Sequence, residues 1–291
     1  MKVAISAESQ CDISLEELAK RNIHIINMQM EQNGVSFLDN EKTLEELFAW
    51  TRESGKFCHT AACNIDALSE YFKKLLETYD EIVHISISSA MSSGYQNAMI
   101  AADGDPRIHV IDSLDASGGT AIYVFYANDL RSAGYSAKEI EEKILERRGH
   151  IECSFQIDTL EFLHRGGRCS KITMLGANLL RIKPEIVCGK DGKLTLGKLH
   201  RGPQKKVVKE YFDHILSQKN IDKRRAVAEY STLDENGMAL FKECVQRLKD
   251  FGFEEVVAGQ CASPISAYHA GPNIIGAQFY IDGPHPIEKK N

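Results

Sequence analysis

Apolar and polar positions alternate at Val3 to Ser6 and again at His24 to Met30, a period of two that predicts strands. Between them, Ser14-Leu-Glu-Glu17 has the form of a capping box and opens a helix to about Lys20. Thr43-Leu-Glu-Glu46 is a second box, with Leu44, Leu47, Phe48 and Trp50 as its apolar stripe. Asn64 caps a helix carrying Ile65, Leu68, Phe72, Leu75, Leu76 and Tyr79 at helical spacing. A strand over Glu81 to Ile87, a helix through Tyr95, Ala98, Met99 and Ala102, and a strand over Arg107 to Asp112 follow. Two helices, 117–132 and 137–148, close this half, the second behind Ser136-x-x-Glu139. Strands separated by helices of this length imply a parallel sheet with helices on its faces.

The pattern after residue 150 is more mixed. Strands are expected over Glu152 to Ile157, Ile182 to Cys188 and Lys193 to Leu199, the last two as an antiparallel hairpin around Lys190-Asp-Gly192. Short helices fall at Thr159 to His164 and near 171–180, and longer ones at 203–218 and 234–250. Ala226 to Tyr230, Val256 to Gly259 and Ala277 to Ile281 complete the strands. The expectation is therefore an α/β chain of two domains, 1–150 and 151–291, packed without a flexible linker.

The length of 291 residues agrees with two domains at roughly 150 residues each. A hydrophobic share of 43% and a charged share of 26% exclude disorder, and a net charge of −6 argues against a nucleic-acid partner bound through bulk positive charge. The start runs straight into an apolar alternation, so no signal peptide is expected, and no run approaches the ~18 apolar residues of a membrane span. The eight cysteines form no C-x-x-C, and the closest pair, Cys58 and Cys63, is too small a set for a closed zinc site. Reduced thiols in a cytoplasmic protein are expected.

Three segments hold candidate chemistry. Ser86 to Asn97 contains Ser88, Ser89, Ser92, Ser93 and Gly94 between the carboxyl end of a strand and the amino end of a helix. Ligands bind at that position in open α/β sheets, and free N–H groups with hydroxyls favour an anion. The alternative is a plain turn with a serine cap. Leu160 to Arg168 ends in Gly-Gly-Arg, where Arg168 is able to grip a carboxylate or phosphate, or else merely flanks a helix cap. His269 enters a Gly-Pro turn, as a ligand donor or as a loop residue bonded to backbone. Ser92 or Ser93 with His269 and Asp112 also suggests a hydrolase triad, although Met91-Ser-Ser-Gly94 lacks the first glycine of a nucleophile elbow. Phosphate-loop, zincin and EF-hand motifs are missing, and no cofactor or metal is implied.

The segments carry more in sequence than singly. They run from Ile5-Ser-Ala-Glu-Ser9 with Cys11-Asp12, through Thr60 and Ile87-Ser-Ser-Ala-Met-Ser-Ser-Gly94, to Val110-Ile-Asp-Ser113 and Gly118-Gly119. Thr159-Leu-Glu-Phe-Leu-His-Arg-Gly-Gly-Arg-Cys-Ser170, Ile182-Lys-Pro184, Arg201-Gly202 and His269-Ala-Gly-Pro272 follow. This series resembles the DegV family of bacterial fatty-acid-binding proteins along essentially the whole chain. The resemblance implies a parallel-sheet amino-terminal domain and a mixed-sheet carboxyl-terminal domain, with one long-chain fatty acid held between them and no turnover of its own. It also implies a separate fatty-acid kinase as partner, which converts the presented carboxylate to an acyl phosphate for phospholipid synthesis.

Thr60 and Ser92 match residues expected at the carboxylate, Ser93 and Gly94 flank it, and Arg168 and His269 match head-group support. The chain departs from the family where Ala61-Ala-Cys-Asn64 replaces Ser-Gln-Pro-Ser, where Ser93-Gly94 replaces Gly-Thr, and where Glu8 replaces Asp. Leu175, Leu179, Leu180, Ile182 and Ile186 are candidates for a tail tunnel or plain core. The basic run Arg201, Lys205, Lys206 and Lys209 is a candidate kinase-docking patch or a solvated helix face. Besides the hydrolase, a sensor of a small non-lipid anion stands as an alternative.

Overall fold

The computed structural model describes residues 2–168 and 182–288. The first sheet is built of β1 (Val3–Glu8), β2 (Ile23–Ile26), β6 (Glu81–Ser86) and β7 (Ile108–Asp112) in the order β2-β1-β6-β7, all parallel. Successive residues of β1 face opposite ways, as the period of two requires. Ala4, Ile82 and Val110 pack under α3 (Ile65–Leu76) and α4 (Gly94–Ala102), while Val3, Ile5, Val83, Ile85 and Ile111 pack under α5 (Gly118–Ser132) and α6 (Ala137–Arg147).

The second sheet has six strands: β8 (Ile151–Gln156), β9 (Lys183–Cys188), β10 (Leu194–His200), β11 (Arg225–Tyr230), β12 (Glu255–Gln260) and β13 (Ile275–Tyr280). Their order is β10-β9-β8-β13-β11-β12, antiparallel except for β11 with β12, so the sheet is mixed. One face carries α8 (Gln204–Ile215) and α9 (Glu235–Phe251) over Ala226, Ala228, Ile275, Ala277 and Phe279. The other face meets α5 again. Every residue of α5 from Gly118 to Asn128 is buried, because the helix lies between the two sheets and has no polar face to turn to water.

All strands of the parallel sheet precede residue 113 and all strands of the mixed sheet follow residue 150. The apolar clusters do not divide there. Ile157, Leu163, Ile186, Ile265 and Tyr268 pack into one cluster with Ala4, Leu47, Leu68 and Phe72.

Two sequence expectations need correction. His24 to Met30 is not one strand: the chain leaves the parallel sheet at Asn27-Met28, and β3 (Gln29–Gln32) joins a separate sheet in the order β4-β3-β5 with β4 (Val35–Leu38) and β5 (His59–Ala61). The turn between β3 and β4 is Asn33-Gly34, both with positive φ, the two-residue form that matches strand twist. Residues after Ser263 also form α10 (Pro264–Ala270), with Ser263 accepting from the Ile265 N–H and Pro264 in the first turn. His269 is thus helical, not a turn residue. The helix expected near 171–180, with Leu175, Leu179 and Leu180, lies outside the described residues. Among the described residues, no helix is long and apolar enough to cross a membrane.

Candidate functional site

A cleft of about 860 Å3, its open mouth included, lies at the carboxyl ends of the parallel strands and runs against the mixed sheet. Its walls are mainly apolar: Met28, Ile87, Met91, Phe155, Leu163, Leu194, Ile265 and Ile274 all contribute. Thr60, Ser92, Arg168 and His269, four of the six residues singled out from the sequence, are on the same lining.

Thr60 is the central residue of β5, and its Oγ1 lies 2.8 Å from the Nε2 of His269, the next-to-last residue of α10. Burial, with the Arg168 guanidinium nearby, lowers the His269 imidazole to about 4, so it is neutral near pH 7. The ring packs against α7 (Glu161–Gly166), where any side chain on Gly166 would overlap Nδ1. Arg168 is exposed just after the Gly167 cap, lines the cleft and donates to the Gly166 carbonyl at 2.5 Å. Ser92 is half-buried, and its Oγ accepts from the Gly94 N–H at 3.2 Å.

Ser93 and Gly94 do not line the cleft. Ser93 is exposed at the start of α4 and makes no side-chain cap. Gly94 is buried, and a Cβ there would overlap the Glu8 Oε1. Its role is to let the helix approach β1. Glu8 is wholly buried, with Oε2 accepting from the Ile87 N–H at 2.8 Å and Oε1 without a partner. Desolvation, with a smaller push from Asp112, raises its carboxyl to about 7. A carboxylic acid thus sits beneath the serine loop.

The departures from the family motif now have physical content. Ala61 and Ala62 add apolar lining, and Asn64 caps α3 by accepting from the Ala67 N–H at 2.8 Å. Ile186, a tail candidate, is fully buried in the core, and neither it nor the half-buried Ile182 lines the cleft. The imagined triad does not assemble. The Asp112 Oδ1 accepts from the Ser89 and Leu114 N–H groups, and His269 meets Thr60, not Ser92.

Sequence reasoning missed a second polar set on the same wall, made by Ser117, Glu229 and Gln278. Ser117 has φ +51°, a region that normally favours glycine, and its hydroxyl lies 2.9 Å from both Glu229 oxygens and against the Asp12 Oδ2. Gln278 and the Gly118 N–H also donate to Glu229, and the Ser263 N–H donates to Asp12. One hydroxyl hydrogen cannot serve two carboxylates, so one of the pair must carry a proton. Burial agrees, raising Asp12 well above the usual range and Glu229 to about 7. The available signal was a lone glutamate inside the apolar strand Ala226-Val-Ala-Glu-Tyr230.

Comparison with known proteins decides the family, because a family model described as "Uncharacterised protein, DegV family" matches residues 2–282. The chain belongs to the DegV family. A DegV domain-containing protein of Caldanaerobacter subterraneus subsp. tengcongensis, TTE1491, is 28% identical over 281 residues, 96% of this chain and 98% of its own. A fatty-acid-binding DegV family protein from Thermus thermophilus superposes with a TM-score of 0.84 at 25% identity, covering 97% of this chain and 100% of its own. The Streptococcus pneumoniae Fatty Acid Kinase (Fak) B3 protein, solved loaded with linoleic acid, shares the fold at a TM-score of 0.80 and 21% identity, covering 97% and 100%. The DegV fold is therefore the α/β arrangement described above, with a parallel and a mixed sheet.

Proposed function

We propose that this DegV protein binds one long-chain fatty acid in the cleft, its carboxylate at Thr60, His269 and Ser92 near Arg168, and presents that carboxylate to a fatty-acid kinase. The observation that carries the reading is the hydroxyl–imidazole pair of Thr60 and His269 on the lining of a mainly apolar cleft. A carboxylate leaving water needs replacement donors, and the Thr60 and Ser92 hydroxyls with the Arg168 N–H groups supply them. Burying about 15 methylenes at ~0.8 kcal/mol each yields on the order of 12 kcal/mol before ordering costs, so the tail supplies affinity and the head group sets orientation.

Relatives support the ligand class: the Thermus protein is described as binding fatty acid, and the Streptococcus protein as a kinase component loaded with one. In the kinase step, a carboxylate oxygen attacks the γ-phosphorus of ATP, forming the acyl phosphate and releasing ADP. The candidate docking run is less basic than its sequence implies, since Lys205 meets Glu243 and Lys206 meets Glu210.

Mass spectrometry of the purified protein, native and then after organic extraction, tests the reading. A one-to-one adduct released as a long-chain fatty acid is expected. A protein that carries none and takes up neither palmitate nor oleate would refute it, and transfer of γ-phosphoryl to the bound acid by a fatty-acid kinase tests the presentation step.

A further inference from the structure

Cys153 lies on β8 and Cys188 on β9, which pair antiparallel with Ser154 opposite Val187 and Phe155 opposite Ile186. Continuing that register by one step sets Cys153 directly opposite Cys188. Directly opposed residues of antiparallel strands have Cα atoms about 4.5–5.5 Å apart, inside the ~4.4–6.8 Å that a disulfide spans. The two thiols are close enough for each to shift the other's ionisation. Cys153 lies on the cleft wall, so a small oxidant reaches the pair through the cleft.

A carboxylate stands beside both thiols. Asp115, almost wholly buried just before α5, lies in the loop that holds both thiols: Cys153 donates to the Ala116 carbonyl at 3.8 Å and Cys188 to the Leu114 carbonyl at 3.3 Å. Gly119 leaves the room: a Cβ there would lie 2.7 Å from the Cys153 Sγ and 2.9 Å from the Asp115 Oδ1. We propose that Cys153 and Cys188 form a redox-active dithiol in the cleft wall, oxidised by a peroxide to a cross-strand disulfide, with Asp115 as the proton acceptor.

The steps balance. Asp115 takes the Cys153 proton, the sulfur attacks peroxide, the O–O bond breaks, and the departing hydroxide leaves as water with the proton from Asp115. Cys153 is then a sulfenic acid. The Cys188 proton passes to Asp115 as its sulfur attacks Cys153, the S–O bond breaks, and a second water leaves. Two thiols have lost two electrons and two protons, and the peroxide has become two waters. The contact with Cys188, then burial, raises the Cys153 thiol, and, against the lowering contact with Cys153, burial and the Asp115 charge raise Cys188, so neither ionises unaided and the reaction depends on the carboxylate. Desolvation lifts Asp115 to about 7, against lowering contributions from the neighbouring Cys153, Cys188 and Tyr123 and with the like charge of Glu152.

The reduced protein is treated with hydrogen peroxide, denatured in an alkylating agent and digested. The expected result is a linked peptide pair, lighter by two hydrogens, joining Cys153 to Cys188, while Cys11, Cys58, Cys63, Cys244 and Cys261 are alkylated. Linkage of either residue to another cysteine, or alkylation of both after peroxide, overturns the dithiol. The mapping needs no variant. Asp115→Asn is expected to slow linkage at least tenfold and to abolish the rise of its rate through about pH 7. An unchanged rate and pH profile overturns the role of Asp115.

Discussion

Glu8 offers a test of the electrostatics under the serine loop, through Glu8→Gln. The side chain is fully buried, its one hydrogen bond comes from the Ile87 N–H, and its carboxyl lies at about 7 against an ordinary 4.5. The gap of about 2.5 pH units, at about 1.4 kcal/mol each, sets the cost of ionising it in place at roughly 3.5 kcal/mol. The folded state holds this proton more tightly than the unfolded state. Stability from Glu8 is therefore complete below 4.5, declines as pH rises from 4.5 to about 7, and stays low above that. Glutamine keeps the shape and the acceptor for Ile87 but never ionises. Urea unfolding of both proteins at about pH 5 and about pH 8 isolates the effect, because every other titrating group cancels in the difference. Glu8→Gln should gain about 2–3 kcal/mol on the wild type between those two conditions. A difference that moves by less than about 0.5 kcal/mol would show that the Glu8 carboxyl is solvated or otherwise paired.

Thr60→Val removes the partner of His269 and one donor to a carboxylate, and should weaken fatty-acid binding by roughly 10–100-fold, read by titration calorimetry, with little change in unfolding. Gly166→Ala forces a methyl into the His269 ring and should cost about 1–3 kcal/mol of stability together with most of the binding. Its neighbour provides the contrast: Gly167 has φ +70° and open space around it, so Gly167→Ala should cost about 1 kcal/mol in unfolding and leave binding intact. His269 is neutral without ligand, and a carboxylate at Nε2 favours the imidazolium, so binding takes up a proton. Affinity should fall as pH rises through the value of the complex, and nuclear magnetic resonance should show the His269 titration moving up from about 4 on adding oleate. An unmoved titration would place the carboxylate elsewhere.

The amphipathic helices were the most legible part of the chain. The boxes at Thr43 and Ser136 form with both reciprocal bonds. At Ser14 only half the box forms, because Glu17 turns to Arg21 at 2.7 Å and Lys20 at 3.3 Å. The three-stranded sheet was hidden because its strands are three or four residues long and half exposed, too short for a period to register, although Asn33-Gly34 marks the turn. Likewise Ser263-Pro264 marks the start of α10, which carries His269. Of the cleft, the hydroxyl, arginine and histidine positions stood in motifs. Glu229, Ser117 and the Cys153–Cys188 pairing did not, because only strand register brings residues so far apart in the chain together.

A helix buried on every side from Gly118 to Asn128 has a consequence for how this molecule comes apart. Had the chain been two independent modules, calorimetry would find two melting events, and each half would express alone. With α5 filling the space between two sheets, a fragment ending near residue 150 keeps the helix but loses Val227 and the rest of the wall behind it. A fragment beginning there loses the helix itself, and half of its sheet faces water. Neither piece buries what it exposes, so calorimetry should find a single melting transition, and the chain is expected to need most of its length before it is safe from aggregation.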